Sequence, residues 1–150
     1  MPNTVLLKRA GADSNVFKEG KASAAIKPGN LIEMGGANDV QNHSGAAAAG
    51  NFPVYVALDG SFSGLAVGNA KARTIDDDYA TGEQVRYLVA RPGDVLYMTL
   101  DTGENVAKGA SLESAGNGNV QAVTTGRAVA VALEAVNATG AAARIRAEII

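Results

Sequence analysis

Short apolar runs alternate with glycine-rich polar turns along the whole chain. That rhythm is the signature of a mainly β protein. Residues 4–8 (TVLLK), 53–58 (PVYVAL), 83–90 (EQVRYLVA) and 94–100 (DVLYMTL) read as strands rich in β-branched and aromatic side chains. Residues 142–150 alternate Ile145, Ala147 and Ile149 with Arg144, Arg146 and Glu148, a period of two with one dry and one charged face. Shorter runs at 22–26, 31–34, 111–113 and 120–123 fit the same scheme, and 127–136 (RAVAVALEAV) is the longest strand candidate. Lys27-Pro28-Gly29-Asn30, Asp59-Gly60, Arg91-Pro92-Gly93, Asp101-Thr102-Gly103 and Gly116-Asn117-Gly118 mark turns. Residues 35–51 read as a loop, because the four alanines at 46–49 are too few to hold a helix. Residues 61–82 follow neither period.

An internal echo adds to this pattern. Lys27-Pro28-Gly29-Asn30-Leu31-Ile32-Glu33-Met34 resembles Arg91-Pro92-Gly93-Asp94-Val95-Leu96-Tyr97-Met98 position by position. Downstream, Val54-Tyr55-Val56-Ala57-Leu58-Asp59 resembles Val129-Ala130-Val131-Ala132-Leu133-Glu134. The two readings are a pseudo-repeat over 27–59 and 91–134, or reuse of one turn chemistry by an all-β chain. The expected fold is a compact β-barrel or β-sandwich-like domain over 21–150, preceded by an extended N-terminal arm over 1–20.

Composition narrows the chemistry. The 150 residues suit one domain, and Gly at 18 positions implies many tight turns. With no Cys, thiolate catalysis, Cys-based zinc sites and disulfides are all excluded. No apolar run approaches the ~20 residues of a membrane span, and residues 1–10 lack the pattern of a signal peptide. A net charge of −2 without a basic face argues against nucleic acid as a partner. The charge is uneven, however. Lys8, Arg9, Lys18, Lys21 and Lys27 outnumber Asp13 and Glu19 at the N-terminus, while acids outnumber bases from residue 76 onward. A basic N-terminal segment docking on an acidic partner surface is one reading of that asymmetry.

No catalytic, cofactor-binding or metal residue emerges. His43 is the single histidine, close in sequence to Asp39 and Ser44 but in a Gly/Asn/Ala-rich stretch, and reads as a surface residue. Asp76-Asp77-Asp78 lacks the alternation and distant Glu of an EF-type calcium loop. Gly116-Asn117-Gly118-Asn119 lacks the Lys-Ser/Thr of a phosphate loop, and the GSFSG at 60–64 has the wrong serine spacing for a nucleophile elbow. The expectation is a binding protein, not an enzyme.

Residues 83–150 carry a family resemblance. Gly93-Asp94-Val95-Leu96 is followed by Val106-Ala107-Lys108-Gly109-Ala110-Ser111-Leu112-Glu113-Ser114 and then by Gly118. Gly126-Arg127-Ala128-Val129-Ala130-Val131-Ala132-Leu133-Glu134 comes next, and the alternating Ala143-Arg144-Ile145-Arg146-Ala147 closes the series. In order and spacing this resembles the capsid decoration (cement) proteins of tailed bacteriophages. The resemblance implies a cofactor-free homotrimer, made in the bacterial host cytoplasm, at threefold positions on the outer surface of an expanded capsid. It would clamp neighbouring copies of the major capsid protein, with its arm on the shell. Thr4, Val5, Leu6, Leu7, Lys8 and Arg9 are the candidate capsid-binding residues, through strand addition to a coat-protein edge; alternatively, Val5, Leu6 and Leu7 form the domain's own edge strand. Other phage structures, a tail tube or a head fibre, share the class. Val106-x-x-Gly109-x-x-Leu112 also resembles biotinyl/lipoyl carrier barrels, but Lys108 lacks the flanking Met of a carrier lysine.

Overall fold

In the computed structural model, residues 4–9, 16–45, 52–60 and 74–150 are described. The alanine run at 46–49, the GSFSG segment beyond Gly60 and most of the aperiodic stretch 61–82 lie outside them. The chain is mainly β, with no helix among the described residues. Its strands are β1 (Leu6–Lys8), β2 (Val16–Lys21), β3 (Leu31–Met34), β4 (Val40–Asn42), β5 (Tyr55–Ala57), β6 (Gln84–Val89) and β7 (Val95–Leu100). There follow β8 (Asn105–Val106), β9 (Ser111–Ser114), β10 (Val120–Ala122), β11 (Ala130–Ala132), β12 (Val136–Asn137) and β13 (Ala143–Ile149).

The strand pairing writes one topology twice. The N-terminal sheet runs β2-β6-β5-β3-β4, and a parallel bridge between Ala22 and Val40 joins its ends. The C-terminal sheet closes as β7-β13-β11-β9-β10, with the parallel pair Leu100 and Val120 completing the barrel. The registers agree residue by residue. Ile32 faces Asn42 and Glu33 faces Gln41 in the first barrel, as Leu112 faces Ala122 and Glu113 faces Gln121 in the second. Tyr55 faces both Ile32 and Val89, as Ala130 faces both Leu112 and Ile149.

The turns entering β3 and β9 match as well. Gly29 and Gly109 have φ of +93° and +88°, open to glycine at little steric cost. Their N–H groups donate to the Ala57 and Ala132 carbonyls, each at 2.8 Å. Strand β5 and strand β11 therefore occupy equivalent places, as the echo of Val54 with Val129 suggested. The Pro-Gly echo is different. Residues 27–34 correspond structurally to 107–114, whereas Arg91-Pro92-Gly93-Asp94 leads into β7, the counterpart of β2. Its geometry is shared, with Gly93 also at φ +93°, but its place in the barrel is not. The repeat in the pairing thus has other limits than 27–59 and 91–134.

Period-two alternation assigns the faces. Ile32, Tyr55, Ala57, Val85 and Tyr87 point into the first barrel with Ala22, Ile26, Val40 and Tyr79. Leu31, Val56 and Leu88, one residue out of phase, point outward and are buried with the core of the second barrel. That core holds Leu96, Met98, Leu100, Leu112, Val120, Ala130, Ala132, Ile145, Ala147 and Ile149. The apolar outer face of the first barrel is therefore what joins the two.

Several expectations change. Residues 16–20, read as part of the arm, form most of β2 and pair with β6 along their length. The stretch 35–51 contains β4, which seals the first barrel. The 127–136 run is two short strands, because β11 ends at Ala132 and Val136 pairs with Val106 of β8 instead. The 22–26 run contributes only isolated bridges, Ala22 to Val40 and Ile26 to Tyr79.

Candidate interaction surface

The arm residues are held by the chain's own second barrel. Leu6 pairs with Leu96 and Lys8 with Val95, antiparallel and with an irregularity between them. Tyr97 N–H donates to the Val5 carbonyl at 2.7 Å. The Asp59 carboxylate accepts from Val5 N–H at 3.0 Å and from Thr4 Oγ1 at 3.2 Å. Val5 and Leu6 are buried, and Leu7 packs partly on the core. Of the six candidates only Lys8 and Arg9 are exposed, with the Arg9 guanidinium 5.8 Å from the centre of the Phe17 ring. The apolar part of the segment is thus its own edge strand, the second of the two readings of these residues.

His43, expected at the surface, is 3% exposed and sits between the barrels. Its Nδ1 lies 2.8 Å from Ser114 Oγ, its Nε2 3.7 Å from Glu33 Oε2, and its ring 4.4 Å from that of Phe52. With the proton on Nε2, Ser114 donates to Nδ1 and the N–H faces the carboxylate, a tautomer inferred from the partners. Burial holds the imidazole pKa below its ordinary value despite the Glu33 charge, so the neutral ring is favoured. A Ser-His-Glu series suggests acyl-transfer chemistry on paper. Here Ser114 is 2% exposed and its Oγ also accepts from Gly116 N–H at 3.2 Å, so the series is an internal tie.

Two further ties cross the same seam. The β9–β10 hairpin seats Gly118 against the first barrel, where Leu31 N–H donates to the Gly118 carbonyl at 2.7 Å. Gly118 has φ +87°, and a Cβ there would stand 2.6 Å from Asn42 Oδ1 and 2.8 Å from Asn30 Nδ2, so glycine is required. From β13, Arg144 donates to the Pro28 carbonyl and to the Ile75 carbonyl, the latter at 2.6 Å. Burial draws this guanidinium's pKa below its ordinary value, opposed by the charges of Asp76, Tyr97, Asp78 and Asp59. Part of the acidic run at 76–78 thus serves as counter-charge to a half-buried arginine.

One carboxylate ties each of the two equivalent β-hairpins. Glu33 accepts from Gln41 and Ser44, and Glu113 from Gln121, Thr124 and the Gly126 N–H. Burial raises each pKa, but the hydrogen bonds outweigh it and hold both carboxyls below their ordinary value. The sequence reading missed Glu113, Arg144 and the inter-barrel role of His43. A signal was available in Glu33…Gln41…Ser44 against Glu113…Gln121…Thr124, two identically spaced sets.

Among the described residues, no group of three or more His, Asp or Glu side chains is placed to hold a metal ion. No helix among them is long and apolar enough to cross a membrane.

No protein-family model matches the chain, and no curated protein sequence matches it. A solved structure does: the head fiber gp8.5 N base in bacteriophage phi29, at 11% identity and a TM-score of 0.53. The match covers 91% of this chain and 95% of that one, so the likeness extends over nearly the whole fold and both barrels.

Proposed function

We propose that this protein is a structural component of a phage virion, carried on the outside of the head, that works by binding and not by catalysis. The observation that carries this reading is the near-complete structural overlap with a head fiber base. It agrees with the decoration-protein resemblance of residues 83–150. The disposition of polar groups supports it too. His43, Ser114 and Glu113 are directed to tying the chain together and are closed to solvent.

The finer reading is a trimer on the major capsid protein at threefold positions of the expanded shell. A protein that binds only the expanded state stabilises it by mass action at every occupied site. Trimerisation adds grip through effective concentration, without any new contact. Of the six candidate residues, Lys8 and Arg9 are exposed at the end of β1, where such a partner would meet them.

Co-sedimentation with undecorated heads from the protein's own source tests the proposal, comparing compact and expanded shells. Saturable binding to expanded shells at three copies per threefold site is the expected result. Binding at another stoichiometry or vertex points to a head-fibre attachment instead. Failure to bind either shell removes the head-surface role.

A further inference from the structure

The seam within the chain has a counterpart at two exposed positions. His43 N–H donates to the Leu31 carbonyl at 2.9 Å, as Val123 N–H donates to the Ser111 carbonyl at 3.0 Å. Met34 faces Val40, as Ser114 faces Val120. The seam pair Ser114 and His43 therefore corresponds, barrel for barrel, to Met34 and Val123. Ser114, at the end of β9 in the second barrel, meets His43 on the flank of the first at 2.8 Å. Met34, at the end of β3 in the first barrel, and Val123, on the flank of the second, are instead 65% and 38% exposed. A single exposed apolar side chain needs no explanation. These are two of the four large ones exposed among the described residues, and they stand where the seam pair stands. Both members differ from that pair in the same sense, apolar and open where it is polar and buried.

We propose that Met34 of one copy packs on Val123 of a second, docking the β3–β4 hairpin on a neighbour's second barrel as β9–β10 docks on the first barrel within the chain. The occupant is a second copy because each chain carries both halves of the contact in equivalent frames. An apolar contact is non-directional, and Met adapts to uneven surfaces. The contact therefore tolerates the difference between the hairpin tips, where Asn38 stands in place of Gly118 without its left-handed φ. Leu31 and Leu88, which widen the join inside the chain, have the exposed Ser111 and Glu148 as counterparts. The contact between copies is accordingly narrower, and Met34 and Val123 carry it. Each copy offers one hairpin and one flank, so successive copies join head to tail, closing into a ring or continuing as a filament. Association of this kind requires only the free chain, so it and binding to heads stand or fall separately.

Disulfide trapping with the full chain tests it. The protein has no Cys, so each single-cysteine variant carries one thiol. Copies bearing Met34→Cys and Val123→Cys, tagged to different masses, are mixed in a glutathione redox buffer and followed by non-reducing electrophoresis. The mixed disulfide is expected to form at least about tenfold faster than the disulfide of either variant alone. It should outpace by the same margin the pair of Met34→Cys with Ala141→Cys, an exposed control beside β13. A second readout needs no thiol. In sedimentation equilibrium, Met34→Lys is expected to weaken self-association about tenfold while leaving the melting temperature nearly unchanged. Mixing it with Val123→Glu is expected to restore association through the new charge pair. Equal trapping rates in all pairs, or association unchanged by Met34→Lys, overturns the proposal. Trapping of either variant with itself as fast as the mixed pair also overturns it, and indicates a two-fold contact in place of a head-to-tail one.

Discussion

The two barrels share a topology and register but fill their interiors in opposite ways. In the first, β5 and β6 contribute Tyr55 and Tyr87, whose rings meet edge-on at 5.2 Å, while β2 presents Val16, Lys18 and Gly20 on its inward face, with Ala22 just beyond its end. The second places Ala130 and Ala147 at the tyrosine positions and Leu96, Met98 and Leu100 on β7. Large side chains have moved from one wall of the barrel to the other, keeping each interior packed. The outer faces diverge as well. Leu31 and Leu88 of the first barrel are buried against the second, where the equivalent Ser111 and Glu148 are exposed. The fold therefore tolerates a change in which strand supplies the core, provided the volume is kept, while the outer faces are specialised for the tandem join.

The largest effect is expected from importing one barrel's solution into the other without its compensation. Tyr87→Ala should destabilise the protein by about 3–5 kcal/mol, read by chemical denaturation. Gly20→Met alone should also destabilise, since even a Cβ at Gly20 stands 3.1 Å from Asp39 Cβ. The double variant should recover about 1 kcal/mol relative to the sum of the two. Strict additivity would show that the interiors are not alternative packings of one design.

Next comes the seam. Gly118→Ala combines a left-handed backbone with contacts on Asn42 and Asn30, and should cost about 2–3 kcal/mol. Gly103→Ala has a similar φ of +95° but nothing within 4 Å, and should cost about 1–2 kcal/mol. Equal melting temperatures for the two variants would mean that the hairpin does not bear on the first barrel.

The paired carboxylates give a smaller contrast. Glu113 is 1% exposed and Glu33 only half-buried, so Glu113→Ala should cost about 2 kcal/mol and Glu33→Ala about 1 kcal/mol. Acid should act in the same direction. Both carboxyls are depressed below 4.5 in the folded state, so their stabilisation is complete above that value and is lost as the pH falls through the folded values. His43 adds an earlier loss. Its folded pKa lies below 6.5, so the unfolded chain takes up the proton first and stability declines as the pH drops through that region. His43→Phe should flatten the melting-temperature profile near pH 6 and leave the carboxylate limb in place.

The fold class was legible because apolar alternation marks β6, β7 and β13 so clearly. Strand β2 was not, since its inward positions are the exposed Val16 and Lys18 together with Gly20, and the hydrophobic mass that fills its barrel comes from tyrosines on the facing strands. The repeat was half legible. Val54 and Val129 mark equivalent strands, but Pro-Gly turns with the same φ recur at non-equivalent corners and draw the eye to the wrong pairing. The arm was identified as a strand, and only the structure shows that β7 is its partner. His43 looked exposed because its stretch is polar, yet it is covered by a hairpin more than seventy residues later in the chain. Such long-range covering leaves no local periodicity.

The join between two otherwise equivalent barrels is what the comparison rests on, and amide hydrogen exchange on the free protein measures it residue by residue. Leu31 N–H, paired to the Gly118 carbonyl across the seam at 2.7 Å, is expected to exchange slowly in the wild-type protein and markedly faster in Gly118→Ala. Unchanged protection at Leu31 in that variant would contradict the account, because the β9–β10 hairpin would then not bear on the first barrel.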